Sequence, residues 1–430
     1  MAAESRSLAQ WLDHVERLHA RPIDLGLQRV REVAQRAGIQ LSCTTIVVAG
    51  TNGKGSTCAM LESILVQAGY RVGCYTSPHL LRFNERARVD GRPADDSALV
   101  PHFEAIEQAR GATTLTYFEF TTLAILRLFG ASRLDVAVLE IGLGGRLDAV
   151  NIVDADCAIL TSVDIDHAEF LGDTREAIGA EKAHVFRPLR PAICADPMPP
   201  ASVVAHAHAI GADLWRIGRD FSFEGDRQQW SYRGREQRRS SLAFPALRGA
   251  NQLLNAAGVL AALESLRARL PVTQQAVRQG LALVELPGRF QVLPGRPTVI
   301  LDVAHNPHAA AHLARNLDAM GFFLRTWAVF GMLRDKDVVE TVRQLGERID
   351  CWLCVDLPGP RGASAAELAQ RIEQAGVAAP GSNRIVERHR APRGALASAR
   401  ERADDNDRII VFGSFLTVAD VLAADATADR

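Results

Sequence analysis

The sequence predicts an α/β protein in two parts: a larger N-terminal P-loop-type domain with a mainly parallel sheet, and a smaller C-terminal Rossmann-like α/β domain. Three observations carry this. Near-continuous apolar runs, as expected of parallel strands buried on both faces, alternate with helical patterns along most of the chain. A glycine-rich turn joins an early apolar run to a long helical pattern. A Pro-Gly-rich stretch near residue 290 is then followed by a second round of the same alternation.

The first apolar run is Ile46, Val47 and Val48, and Ser56 to Gln67 reads as a helix. Between them lies the turn of "VVAGTNGKGSTCAM", residues 47–60, with three glycines and Lys54. Glycines let a backbone approach a ligand closely with its N–H groups turned toward it. A helix N-terminus adds positive partial charge and Lys54 a full one, so the expected occupant is a polyphosphate. The match to G-x-x-x-x-G-K-[ST] is imperfect, because Gly55 intervenes between Lys54 and Ser56. A ligand-free glycine turn is the bland alternative; Gly, Lys and Ser/Thr together in a strand–loop–helix setting favour an ATPase-type domain.

Further runs at 134–142 ("LDVAVLEIG") and 156–164 ("DCAILTSVD") read as buried parallel strands. Residues 174–186 read as a helix capped by Asp173 or Thr174, and 191–196 as the next strand. From about 217 to 245, aromatic and polar residues alternate around Gly225 and Gly234, which predicts small antiparallel strands. "LPGRFQVLPGRP" (286–297) reads as a hinge between a 1–290 domain and a 296–430 domain. Beyond it "TVILDVAHNP", "TWAVFGML", "CWLCVDL" and "RIIVFGSF" each begin a strand–helix unit.

Apolar residues make up 47% of the chain and charged ones 23%, the ordinary balance of a globular enzyme. A formal net charge of -1 argues against a nucleic-acid or anionic-membrane partner. No apolar run is long enough to span a bilayer, and the charged, amphipathic N-terminus does not read as a signal peptide. A cytoplasmic protein is expected. Its seven cysteines form no disulfide framework. Cys351 and Cys354 make a C-x-x-C, but on a strand, with no second pair for zinc, so they read as buried thiols.

Phosphoryl chemistry needs a divalent metal with hard oxygen ligands. Glu140 ends a buried strand ahead of Gly142, Gly144 and Gly145, where ligands gather in open parallel sheets. Ser77 in "YTSPHL" and His167 in "DIDHAEFLG" also follow apolar runs; alone they read as a turn serine and a surface histidine. On spacing, Lys182 reads as a snorkelling surface lysine. Asp302, His305 and Asn306 follow the first strand of the second domain, a common place for ligand contacts. The pairs His305/His308 and His206/His208 are weak metal signals without further ligands at suitable spacing.

Seven blocks, "AGTNGKGST", "TSPHL", "EIGLGGRLDAVNIV", "DHAEFLG", "EKAHVF", "LPGRF" and "DVAHNPHA", come in the order found in the folylpolyglutamate synthases. The chain resembles these ATP-dependent, Mur-ligase-like amide-bond ligases over roughly residues 20–420. In that family the loop lysine is followed by glycine, so Gly55 is a family trait. The resemblance implies that Thr51, Asn52, Gly53, Lys54, Gly55, Ser56, Asn255, Arg289 and Asp302 contact ATP. It implies Ser77 and Glu140 as ligands of one magnesium, with His167 and Lys182, as a carbamate, at a second. Pro22, Ile23 and Asp24, then Thr116, Tyr117, Phe118 and Glu119, then Leu147, Asp148 and Ala149 resemble dihydropteroate-binding segments of bifunctional bacterial members. His305 and Ser414 would lie on the glutamate side.

The implied catalytic set is Lys54, Glu140, His167, Lys182 and His305. The implied substrates are ATP, L-glutamate, dihydropteroate and reduced folates, handled by a monomer. A ligase acting only on reduced folates, a Mur-type cell-wall ligase and a P-loop switch are the alternatives.

Overall fold

The computed structural model describes residues 6–226, 228–249, 251–378 and 384–428. They form two compact units, one of residues 1–246 with 253–284 and one of 247–252 with 285–430.

In the first unit β1 (Thr44–Ala49), β2 (Val72–Tyr75), β3 (Ala87–Val89), β4 (Arg92–Pro93), β5 (Val136–Glu140), β6 (Cys157–Leu160), β7 (Pro191–Cys194) and β8 (Asp213–Arg216) make one eight-stranded sheet. Its order is β4-β3-β2-β5-β1-β6-β7-β8. From β2 to β8 all neighbours are parallel; β3 and β4 add an antiparallel edge. Every residue of β5 and β6 is buried, which is why both read as unbroken apolar runs. The edge strand β4, by contrast, is an exposed Arg-Pro pair that offers little to a second sheet.

β1 sits between β5 and β6, with Val48 beside Glu140 and Ile159. The end of the β1 strand therefore delivers the glycine turn next to Glu140. The helix Lys54–Gln67 that follows is buried on most sides, from Ser56 through Leu65. Trp11, Phe83, Phe103 and Phe120 pack ring against ring in the core of this unit.

The helix expected at 174–186 spans Arg175–Ala183. Thr174 is its cap, its hydroxyl accepting from the Ala177 amide at 3.2 Å. It stops early because Val185 and Phe186 turn back with i→i−3 bonds, and Arg187 takes the carbonyls of His184 and Phe186. The alternating region becomes a three-stranded antiparallel sheet of β9 (Ser222–Gly225), β10 (Trp230–Arg233) and β11 (Arg238–Leu242). Trp230 and Tyr232 face inward, as the alternation predicts.

The second unit holds a six-stranded sheet of β12 (Gln291–Leu293), β13 (Thr298–Leu301), β14 (Thr326–Phe330), β15 (Cys351–Val355), β16 (Ile385–His389) and β17 (Arg408–Phe412). The order is β12-β13-β17-β14-β15-β16, parallel except for β12. Two of these strands are invisible to apolar periodicity: β12 lies inside the Pro-Gly-rich stretch, and β16 is a half-exposed edge carrying Glu387, Arg388 and His389. Cys351 and Cys354 are buried free thiols on β15. Among the described residues no helix is long and apolar enough to cross a membrane.

Candidate active site

The glycine turn is held from below by the segment after β6. The Thr51 amide donates to the Ser162 carbonyl at 2.7 Å, its hydroxyl to the Asp164 carbonyl at 3.0 Å, and the Asn52 amide to the Ser162 hydroxyl at 3.1 Å. Gly53 has φ of +87°, a conformation that L side chains rarely adopt. A Cβ there would also meet the Asn255 Oδ1 at 2.6 Å, so Asn255 stands against the loop. Lys54 opens the helix, with Gly55 and Ser56 next; the first amides of a helix have no carbonyl within it. The Lys54 ammonium lies across the turn, donating to the Gly50 and Thr51 carbonyls at 3.0 and 3.2 Å.

Ser77 and Glu140 are brought together by the parallel pair β2–β5. The Ser77 amide donates to Glu140 Oε2 at 3.1 Å, and Glu140 is only 4% exposed. Among the described residues no three His, Cys, Asp or Glu side chains converge into a closed metal cage. One carboxylate with a neighbouring hydroxyl is instead the sparse, hard-oxygen set that magnesium takes alongside phosphate oxygens and water. The residues present fit that ion.

Lys182 corrects the reading from its spacing. It is not a surface lysine: it is 5% exposed, and its Nζ donates to the same Gly50 carbonyl as Lys54, at 3.1 Å. Burial, with the Lys54 charge beside it, pushes its pKa down to about 7, against the pull of Asp166 and Asp148. What sinks the lysine is a glycine. A Cβ on Gly145 would meet the carbonyl oxygens of Glu181 and Lys182 at 2.8 and 2.9 Å, so the helix carrying Lys182 lies directly on the turn after β5. Gly145→Ala should therefore destabilise the fold by about 1–3 kcal/mol, the usual effect of overpacking. A melting temperature equal to the parent's would contradict that contact.

Asp148 caps the short turn that follows, accepting from the Leu143 and Val150 amides at 2.8 and 2.9 Å. Burial raises its pKa to about 6 despite those bonds. It lines a cavity of about 250 Å³ with Leu147, Ala149, Pro22, Ile23, Asp24, Thr116, Phe118 and Glu119, so three distant segments meet there. Ser77 and His167 line the same cavity. His167 has φ of +52°, a left-handed backbone that is unusual outside glycine and common at functional sites.

One arginine organises the first of those segments. Arg29 donates from Nε to both Glu119 oxygens at 2.9 Å and from Nη1 to Asp24 at 2.7 Å. Glu119 in turn caps its own helix through the Thr116 amide. Phe118 stacks toward Tyr75 with centroids 6.3 Å apart. Tyr117 does not line the cavity; its ring faces the guanidinium of Arg86 at 5.5 Å. Arg86, which does line it, was missed from sequence, because an arginine in "RFNERARV" carries no spacing signal. Its neighbour His79 has its pKa lowered to about 4 by burial and by Arg86.

In the second unit the adjacent parallel strands β13 and β17 end side by side. Asp302 accepts from the Phe290 and Ala304 amides at 2.9 and 2.8 Å, and burial raises its pKa. Arg289 lies over the Phe415 ring at 5.0 Å, and the His305 ring lies 6.1 Å from the same phenyl. His305 Nδ1 faces the Val303 carbonyl at 2.8 Å, and Ser414 is buried at the end of β17. Phe415 thus links Arg289 to His305, a role no motif pointed to. Asn306 instead caps the helix Pro307–Ala319. His308 faces His312, at 3.2 Å between Nε2 atoms, and His206 stacks on His184.

Residues 48–262 match the Mur ligase middle domain, and 288–415 the Mur ligase glutamate ligase domain. The chain is 44% identical over 416 residues to the dihydrofolate synthase/folylpolyglutamate synthase of Escherichia coli, covering 96% of this chain and 94% of that one. The structure of E. coli FolC in complex with DHPP and ADP superposes with a TM-score of 0.93 at 43% identity, over 99% of both chains. A bifunctional folylpolyglutamate synthase/dihydrofolate synthase with Mn, AMPPNP and L-glutamate bound gives 0.89 at 44%, over 98% of both. With both ligase domains matched along the chain and nearly the whole length of these relatives covered, the chain belongs to the dihydrofolate synthase/folylpolyglutamate synthase family of Mur ligases.

Proposed function

We propose that this chain joins L-glutamate to dihydropteroate, giving dihydrofolate, and to the γ-carboxyl of reduced folates, at the expense of ATP. The observation that carries the reading is the single cavity that holds the three pterin-type segments together with Ser77 and His167. A ring-bearing acid seated there presents its carboxylate toward the phosphate loop. Relatives with nearly the same fold bind an ATP analogue, manganese and glutamate. The enzyme acts as a cytoplasmic monomer.

A carboxylate is a poor acyl donor, so one of its oxygens first attacks the γ-phosphorus of ATP. The bond to the β–γ bridging oxygen breaks and ADP leaves. Lys54 and the first helix amides hold the phosphates in line and offset the developing charge. Magnesium, which Ser77 and Glu140 would hold at one site and His167 and carbamylated Lys182 at a second, would supply charge neutralisation when bound. Thr51, Asn52, Gly53, Gly55, Ser56 and Asn255 cradle the nucleotide, and Arg289 and Asp302 also contact it. The amine of glutamate, oriented by His305 and Ser414, then attacks the acyl carbon. Phosphate departs with the acyl oxygen, and the amine loses a proton. Residues 286–297 serve as the hinge between the two domains.

Purified protein with ATP, magnesium and glutamate should add one glutamate, by mass, to both dihydropteroate and tetrahydrofolate. Addition only to tetrahydrofolate would remove the first activity. ATP hydrolysis with neither product would favour a nucleotide switch instead.

A further inference from the structure

We propose that Arg86 is a specificity-determining residue that donates a hydrogen bond to the ring carbonyl of the bound pterin, and that His79 positions it; this rests on the ligase reading above. Arg86 is 8% exposed and lines the cavity. Its Nε donates to His79 Nδ1 at 2.9 Å, and its guanidinium lies beside the rings of both Phe83 and Tyr117, at 5.7 and 5.5 Å. Among the described residues its two Nη groups have no hydrogen-bond partner. Neither group is sealed from solvent, and the residue lines the cavity, so an acceptor seated there is expected to complete the fork.

The nearby carboxylates are already engaged. Glu119 is held by Arg29, and Asp148 by the amides of Leu143 and Val150. Glu85 takes the amides of Leu80, Leu81 and Arg82. None of them pairs with Arg86.

The acceptor belongs to the ring end of the substrate. A cation at the reacting end is already supplied by Lys54, whose ammonium lies across the glycine turn. Arg86 lies instead beside Tyr117 and Tyr75, and Tyr75 stacks on Phe118 of the cavity wall. A flat heterocycle against Phe118 brings an exocyclic oxygen to a donor at its edge, and a site built to donate there discriminates strongly against a ring lacking the oxygen. A guanidinium Nε always donates, so His79 Nδ1 is the acceptor in this pair, and the imidazole fixes the fork in rotation.

Arg86→Gln should raise the KM for dihydropteroate by about 10-fold to 100-fold, the range for a lost charge-assisted bond. The KM values for ATP and glutamate should stay within about twofold. Parent enzyme should prefer dihydropteroate over its 4-amino analogue, and Arg86→Gln should lose that preference. His79→Asn keeps an acceptor near Nδ1 and should stay close to parent, whereas His79→Leu should raise only the dihydropteroate KM.

An unchanged dihydropteroate KM in Arg86→Gln, or a ring preference that survives it, overturns the proposal. So does a uniform loss across all substrates accompanied by a lowered melting temperature in both His79 variants, which marks a purely structural pair. A parent enzyme that adds no glutamate to either pterin overturns the ligase reading itself, and that result is separate from any effect of Arg86.

Discussion

Lys54→Ala is expected to lower glutamate addition by about 10³-fold or more while leaving the melting temperature nearly unchanged. The two halves of that expectation have different origins. The ammonium's contacts within the chain are with the Gly50 and Thr51 carbonyls of the turn it belongs to. The turn is pinned independently through Thr51 and Asn52 to the segment after β6, so the loop keeps its shape without the lysine. The phosphates, by contrast, lose the one full positive charge that the motif itself provides. Single-turnover acyl-phosphate formation together with a thermal melt measures both. Turnover near the parent's would remove Lys54 from the mechanism, and a collapsed melt would make it a structural residue.

Lys182→Ala is expected to abolish activity in ordinary buffer and to recover part of it with millimolar short carboxylic acids. A carbamate forms when a neutral amine attacks carbon dioxide, with release of one proton. An ordinary lysine is almost wholly protonated at neutral pH, but burial brings Lys182 to about 7, where roughly half is available. Activity should accordingly fall as pH drops through 7.

The stability effect has the opposite reference. Between about 7 and 10.5 the unfolded chain holds a proton on this lysine that the folded chain has released. Stability therefore rises with pH across that window, and this dependence should vanish in the alanine variant. Parent activity in unsupplemented Lys182→Ala would sink the carbamate.

What the sequence disclosed and what it concealed divide along a physical line. Features made by neighbours in the chain were legible. The glycine turn after Val48, the buried runs of β5 and β6, and the alternation around Trp230 and Tyr232 are all local patterns. Features made by distant segments were not. Lys182 follows a helical period that places it at the surface, and the close approach of its helix to Gly145 and of its Nζ to the Gly50 carbonyl buries it. Arg86 acquires its setting from His79, Phe83 and Tyr117, none of which forms a motif with it. Strand β12 hides in a Pro-Gly stretch because its three residues are recruited by pairing with β13 rather than by apolar periodicity. The three segments that meet at the cavity are singled out by resemblance alone; no spacing rule relates Asp24 to Phe118 or Asp148.

The contact between Gly145 and the backbone of Glu181 and Lys182 reaches beyond one molecule. It ties two stretches of the gene that lie far apart, since the room made by a missing side chain in one is filled by the main chain of the other. Because the contact is with main chain, a larger residue at 145 would push away the helix that carries the lysine, whatever side chain stands at 182. Position 145 should therefore stay small even in a lineage that has given up the lysine.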